Sequence, residues 1–231
     1  MIQAGSEATT TCGVASAAMA GGSYDAVVFD FGGVFTQSPF EAVRLHGDEL
    51  GADPELVLSV LFGDYDQDGD HPWHRLERGE ITLVAARAEI NELAVARGLD
   101  FDPFGAFAKF GVGGHMADAM VERTRTLRAE GVRTALVTNN IREFGDGWRS
   151  LVPVDELFDV VIDSSHAGVR KPDPKIFRLA LDALGVAAER SLFLDDFPGN
   201  VAAANALGMR GILVGTDRLA AIAELDALLG A

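Results

Sequence analysis

Five short apolar runs recur along the chain, and most are separated by stretches of helical spacing. The first lies in YDAVVFDFGGVF from Tyr24, followed by VRTALVTNN (132–140), FDVVIDSS (158–165), RSLFLDDF (190–197) and RGILVGT (210–216). Runs of strand length that are apolar throughout, rather than alternating, are the pattern of strands buried on both faces. Among the segments between them, MVERTRTLRAEG stops at Gly131, KIFRLALDALG at Gly185 and NVAAANALG at Gly208. A glycine just past a helical stretch supplies the left-handed residue that ends a helix. Asp173 and Pro174 open the second of these, where Asp can cap free amides and Pro fits the first turn. Strands alternating with helices predict an α/β fold built on a doubly wound parallel sheet.

The stretch from Ser38 to Ala117 breaks this rhythm. It is helix-compatible and holds no buried-strand run of comparable quality. An insertion directly after the first strand would sit over the crevice at the carboxyl ends of the strands. The expected organisation is therefore a flexible leader over 1–22, an α/β core over 23–37 and 118–231, and an inserted helical cap over 38–117. The leader is assigned from its Ala, Gly, Ser and Thr content and its lack of periodicity.

Composition excludes several classes. A net charge of −16 disfavours nucleic acid and anionic membranes, whose recognition is built largely on Lys and Arg. Cys12 is the single cysteine, so neither a disulfide framework nor a thiolate metal site is available. There is no basic segment leading into an apolar run, and no stretch of about 18 apolar residues. A cytoplasmic protein of reducing surroundings is expected; oligomeric state is not legible.

Four features fall at strand ends or just beyond them: Asp30 with Gly32, Thr138 with Asn139, Lys171, and the pair Asp195 and Asp196. Elements from one sheet edge can converge on one site. Three carboxylates brought together raise one another's pKa unless a cation neutralises them, and Mg2+ suits carboxylates, a main-chain carbonyl and a phosphate oxygen. None of the five histidines has metal-ligand spacing with Cys or another His. His71 and His74 are read as an exposed pair at a helix turn.

The motifs FDFGGVF, VTNN, the Lys of RKPDP, and FLDDFPGN resemble, in this order, the four motifs of haloacid dehalogenase-like hydrolases. The match runs from Tyr24 onward. Within that superfamily the chain is similar to phosphatases related to the N-terminal domain of soluble epoxide hydrolase. The resemblance implies a Rossmann-like core and a Mg2+-dependent phosphatase acting on a small phosphorylated metabolite. It implies that Asp30 is the nucleophile that carries the phosphoryl group, and that Asp30, the Gly32 carbonyl and Asp196 bind the metal, with Asp195 helping directly or through water. Thr138 and the amide of Asn139 would hold phosphate oxygens, and Lys171 would offset charge between nucleophile and phosphate.

One position departs from that pattern. Most phosphatases of the superfamily carry a second Asp two residues after the nucleophile, as general acid and base, and here Gly32 stands there. Gly32 keeps a backbone carbonyl for metal but offers no proton, so good leaving groups are expected to react best. Two further readings stay open: a catalytically weak phosphate-binding or regulatory protein of the same fold, and a 2-haloacid dehalogenase, whose fourth motif lacks the acidic pair kept here. A signalling receiver domain uses similar residues in a different order.

Elsewhere the reading is structural. Asn200 is expected to cap the following helix. Trp73 is expected to anchor the core of the cap, with Arg78, Gly79 and Glu80 as a turn between helices. Phe101, Phe104, Phe107 and Phe110 recur every three residues, which predicts a packing face.

Overall fold

The structure is a computed structural model that describes residues 24–109 and 114–230. The expected leader, with Cys12, and Phe110 lie outside the described residues. Strands β1 (Ala26–Phe29), β2 (Arg133–Thr138), β3 (Val160–Asp163), β4 (Ser191–Asp195) and β5 (Arg210–Leu213) form one sheet in the order β3-β2-β1-β4-β5. Every neighbouring pair is parallel, and Phe29 lies opposite Leu136 on one side and Leu194 on the other. The chain steps from β1 outward to β3, then returns to lay β4 on the free edge of β1. That reversal places a crevice beyond the ends of β1, β2 and β4.

Between β1 and β2 the chain forms α1 (Pro39–Glu49), α2 (Pro54–Phe62), α3 (Pro72–Glu77), α4 (Leu83–Ala96), a 3-10 segment (Pro103–Lys109) and α5 (Gly114–Ala129). Three of these helices begin with proline, whose missing N–H costs nothing in a first turn. The helices α6 (Val154–Leu157), α7 (Ser164–Ala167), α8 (Pro174–Leu184), α9 (Pro198–Leu207) and α10 (Arg218–Leu229) belong to the sheet. Asp173 caps α8 by accepting from the Lys175 amide at 2.9 Å, and α8 and α9 end at left-handed Gly185 and Gly208.

Side chains of successive strand residues enter different cores. Val27, Phe29, Leu136, Leu192 and Leu194 pack with Met120 and Leu127 of α5 and Leu225 of α10. Ala26, Val28, Ala135, Val137 and Phe193 pack with Ile176 and Phe177 of α8 and Ala204 of α9. Both faces of the sheet are covered, which is why its strands read as unbroken apolar runs. The inserted helices hold a third core of their own, including Val57, Leu61, Phe62, Trp73, Leu76 and Ile90, joined by Ile141 from the loop after β2. The fold is thus the expected doubly wound α/β core with an inserted helical cap.

Some local expectations change. The edge expected between 117 and 118 falls inside α5, because the helix-compatible HMAD sequence carries it back to Gly114. Phe101, Phe104 and Phe107 pack on the cap core, and the segment from Pro103 is a 3-10 helix, whose period of three matches their spacing. His71 and His74 are not an exposed pair. His71 accepts from the Trp73 amide at the start of α3, while His74 is buried, with Nε2 paired to the Phe62 carbonyl at 2.9 Å and Nδ1 accepting from the Gly69 amide at 3.1 Å. Burial first, and then the charge of Arg170, drives the His74 pKa down to about 3.

Candidate active site

Asp30 is the first residue past β1, and its backbone amide still donates to the Leu194 carbonyl of β4. Thr138 ends β2 and Asp195 ends β4, so sheet register alone brings the three to one edge. Lys171 reaches them from the loop before α8. Its ammonium lies 2.7 Å from Asp30 Oδ1 and 2.7 Å from Asp195 Oδ2, with Lys171 and Asp195 completely buried.

The two adjacent acids stand differently. Asp195 Oδ1 accepts from the Phe197 amide at 2.8 Å, and Asn200 Nδ2 lies 3.1 Å from each Asp195 oxygen. With Lys171 added, the acceptor capacity of that carboxylate is used. Asp196 Oδ2, by contrast, is buried without a hydrogen-bond partner. Its carboxyl packs on Gly33, where φ is +70° and a β-carbon would fall 2.1 Å from Asp196 Cγ. Arg218 of α10 holds this loop from behind, donating to the carbonyls of Gly33 at 3.1 Å and of Thr36.

Oxygens of Asp30, Asp195 and Asp196 lie within 4.8 Å of one another. Burial pushes the Asp30 carboxyl well above the ordinary carboxylate range; Lys171 opposes the rise, and Asp195 and Asp196 add to it. Burial and then the charge of Asp195 push Asp196 up to about 7. Burial works against the Lys171 ammonium, but the carboxylates of Asp195 and Asp30 outweigh it and raise its pKa. Hard oxygen donors at this spacing, one with an orphaned oxygen, fit a hard divalent cation, which would favour the ionised carboxylates.

Asp30, Gly32, Thr138, Asn139 and Asp196 all line one cavity of about 440 Å³ between core and cap. Aromatic side chains form a large part of its wall: Phe31, Phe40, Phe62, Tyr65, Trp73, Phe107, Phe144 and Trp148. Phe40 and Tyr65 of the cap meet Phe197 of the core at ring-centroid distances of 4.9 and 5.0 Å. Trp73 is buried in the cap core as expected and also faces this space.

The structure thus brings together the residues singled out in the sequence and adds others that were missed. Asn200 does not cap α9, because Pro198 takes the first turn and Asn200 lies inside the helix, where its amide secures Asp195. The cap acid facing the cavity is Glu77, whereas Glu80 is paired with Arg78 at the surface. Arg170 is fully buried, 2.7 Å from Glu77 Oε2, with its guanidinium 4.4 Å from the Tyr65 ring centre. The side chain of Asn139 is engaged with Tyr65 and with the main chain of Lys171. Arg170 stands next to Lys171 in RKPDP; Tyr65 lies in the Gly- and Asp-rich loop after α2 and Glu77 in α3, and neither belongs to a motif.

A family model described as haloacid dehalogenase-like hydrolase matches residues 24–208. The chain is 34% identical over 216 residues to acyl-CoA dehydrogenase family member 10 of Mus musculus, covering 91% of this chain and 20% of that protein. It is 27% identical over 214 residues to bifunctional epoxide hydrolase 2 of Rattus norvegicus, covering 87% of this chain and 38% of that protein. Both relatives are therefore far longer than the matched region. With sesquiterpene phosphatase astK of Aspergillus oryzae it shares 30% identity over 217 residues, covering 90% of this chain and 98% of the relative. Two solved structures share the fold. One is a dehalogenase with an intermediate complex (TM-score 0.62, 20% identity, 92% of this chain and 100% of that one). The other is a Bacteroides thetaiotaomicron family enzyme in complex with magnesium and inorganic phosphate (TM-score 0.52, 19% identity, 84% and 96%). No helix among the described residues is long and apolar enough to cross a membrane.

Proposed function

The chain belongs to the haloacid dehalogenase-like hydrolases, and on that premise we propose that it is a magnesium-dependent phosphatase of small apolar phosphate monoesters. The observation that carries this reading is the convergence of Asp30, Asp195, Asp196 and buried Lys171 beside an aromatic-walled cavity. The name of the sesquiterpene phosphatase, a relative matched over nearly its whole length, agrees with an apolar organic group in that cavity.

In this reading an Asp30 oxygen attacks phosphorus as the bond to the leaving oxygen breaks, giving an aspartyl-phosphate. Water then attacks that phosphorus and restores the carboxylate, with orthophosphate as product. Asp30, the Gly32 carbonyl and Asp196 would hold the ion, Asp195 acting through Lys171 or an intervening water. When bound, magnesium neutralises the carboxylates and draws charge from the transferring group. Lys171 favours the ionised form of Asp30 against its burial, aims it, and adds a point charge against the phosphate. Thr138 and the Asn139 amide would receive phosphate oxygens at the end of β2.

The test is turnover of p-nitrophenyl phosphate and of long-chain alkyl and prenyl phosphates, with magnesium and with excess chelator. Asp30→Asn is expected to abolish turnover while leaving the fold intact. Full activity in that variant, or in chelator, would falsify the assignment. Binding of orthophosphate with magnesium but without turnover of any of these esters would favour the regulatory reading, to which Gly32 lends itself.

A further inference from the structure

The groups that join cap to core form a continuous polar line ending at Lys171. Tyr65, from the loop after α2, donates its hydroxyl to Glu77 Oε1 at 2.8 Å and accepts from Asn139 Nδ2 at 3.0 Å. Asn139 in turn grips the backbone of Lys171 at two points, accepting from its N–H at 2.8 Å and donating to its carbonyl at 3.1 Å. The far end of the line is fixed by the buried Arg170–Glu77 pair. Lys171 sends its ammonium from that gripped backbone to Asp30 and Asp195.

We propose that Tyr65 is a positioning residue through which the seated cap sets the aim of the Lys171 ammonium, by way of Asn139. The inference rests on the phosphatase reading of the site and adds a role for a cap residue. An amide side chain rotates about its last bond, and Asn139 has one carbonyl and one amino group to share. The Tyr65 oxygen takes one of the two amino hydrogens, leaving the other for the Lys171 carbonyl and the Asn139 oxygen for the Lys171 N–H. This arrangement selects one rotamer and one face of the amide. When the cap lifts, that selection goes with it, and the loop carrying Lys171 gains freedom. Turnover is thereby tied to closure over the cavity, although Tyr65 itself transfers no proton.

Tyr65→Phe removes one oxygen and keeps the ring against Phe40, Phe197 and Arg170. The expected result is a kcat lower by about tenfold, the low end of what losing an outer partner of a site group costs. KM for p-nitrophenyl phosphate should be nearly unchanged, and the far-UV and near-UV spectra should match the parent. The decisive measurement is a double-mutant cycle on kcat with Asn139→Ala: the two losses should not multiply, because both variants break the same line. Parent kcat in Tyr65→Phe overturns the inference, as do multiplicative losses or a raised KM at unchanged kcat. A parent protein without phosphatase turnover overturns the phosphatase reading together with this inference, whereas an active parent with an indifferent Tyr65→Phe overturns this inference alone.

Discussion

At Gly33 a β-carbon would meet Asp196 at 2.1 Å on a left-handed backbone, whereas at Gly32 it would meet Pro39 Cδ at 3.4 Å, an ordinary contact, and φ is not left-handed. Gly33 is therefore held by geometry, and Gly32 is open to a side chain. Gly32→Asp should fold and restore a proton donor two residues after the nucleophile. In the parent, aryl phosphates should outrun simple alkyl phosphates by a wide margin. The variant should narrow that margin by roughly a hundredfold or more, the usual worth of general acid help. Rates against leaving-group pKa for both proteins check this, and an unchanged slope counts against it. Within the candidate site, Asp30, Thr138 and the acidic pair were legible in sequence because each ends or follows an apolar run, and Lys171 because it stands just before a helix-start signal. Asn200 was misread as a cap because Asn ordinarily serves there, and only the geometry of α9 shows it facing Asp195. Glu77 sits in a stretch whose spacing says helix and nothing more, and Tyr65 in a Gly- and Asp-rich stretch that says only loop.

The strands and the helices α5, α8 and α9 were legible as elements, since apolar runs and glycine stops are local signals, whereas α6, α7 and α10 were not read; the cap was legible as helical but not in its packing against the core. Its seat on the core depends on pairs distant in sequence, chiefly Arg170 with Glu77, both almost wholly excluded from water. The Glu77 charge outweighs the burial that opposes the Arg170 guanidinium and keeps it charged. Removing one partner strands the other charge, so Glu77→Leu alone should cost about 3–5 kcal/mol in urea unfolding. The paired change Arg170→Met with Glu77→Leu should recover most of that loss. If the double variant loses as much stability as the sum of both single losses, the pair is not acting as a unit. Cap helix α3 also hands the Glu77 carbonyl to Ser164 Oγ at 2.7 Å, a polar contact that adds to the ion pair and the Tyr65–Asn139 bond.

For the molecule as a whole, the carboxylate cluster opposes the sheet that carries it. Asp196 titrates at about 7 in the folded protein against 3.8 for an ordinary aspartate. Between those values the folded form holds a proton that the unfolded chain has released, so this group lowers stability as pH rises from about 4 to 7. His74 works the other way, because its folded value near 3 makes the unfolded chain the better proton acceptor up to about 6.5. Comparing variants separates the two. In chelator, Asp196→Asn should unfold at urea concentrations close to the parent's at pH 4 and clearly higher at pH 8. Saturating magnesium should stabilise the parent at pH 8 by RT ln(1 + [Mg]/Kd), about 2.7 kcal/mol at a hundred times Kd, and stabilise the variant much less. A difference between variant and parent that does not grow with pH would place the charge elsewhere. The strand order has a further consequence for synthesis. On the ribosome, β1, β2 and β3 emerge and can pair while β4 is still unmade, which leaves the inner edge of β1 bare. An unpaired edge flanked by Val and Phe invites other chains. The edge of the strand that leads to Asp30 therefore stays uncovered until residues 191–195 arrive to pair with it.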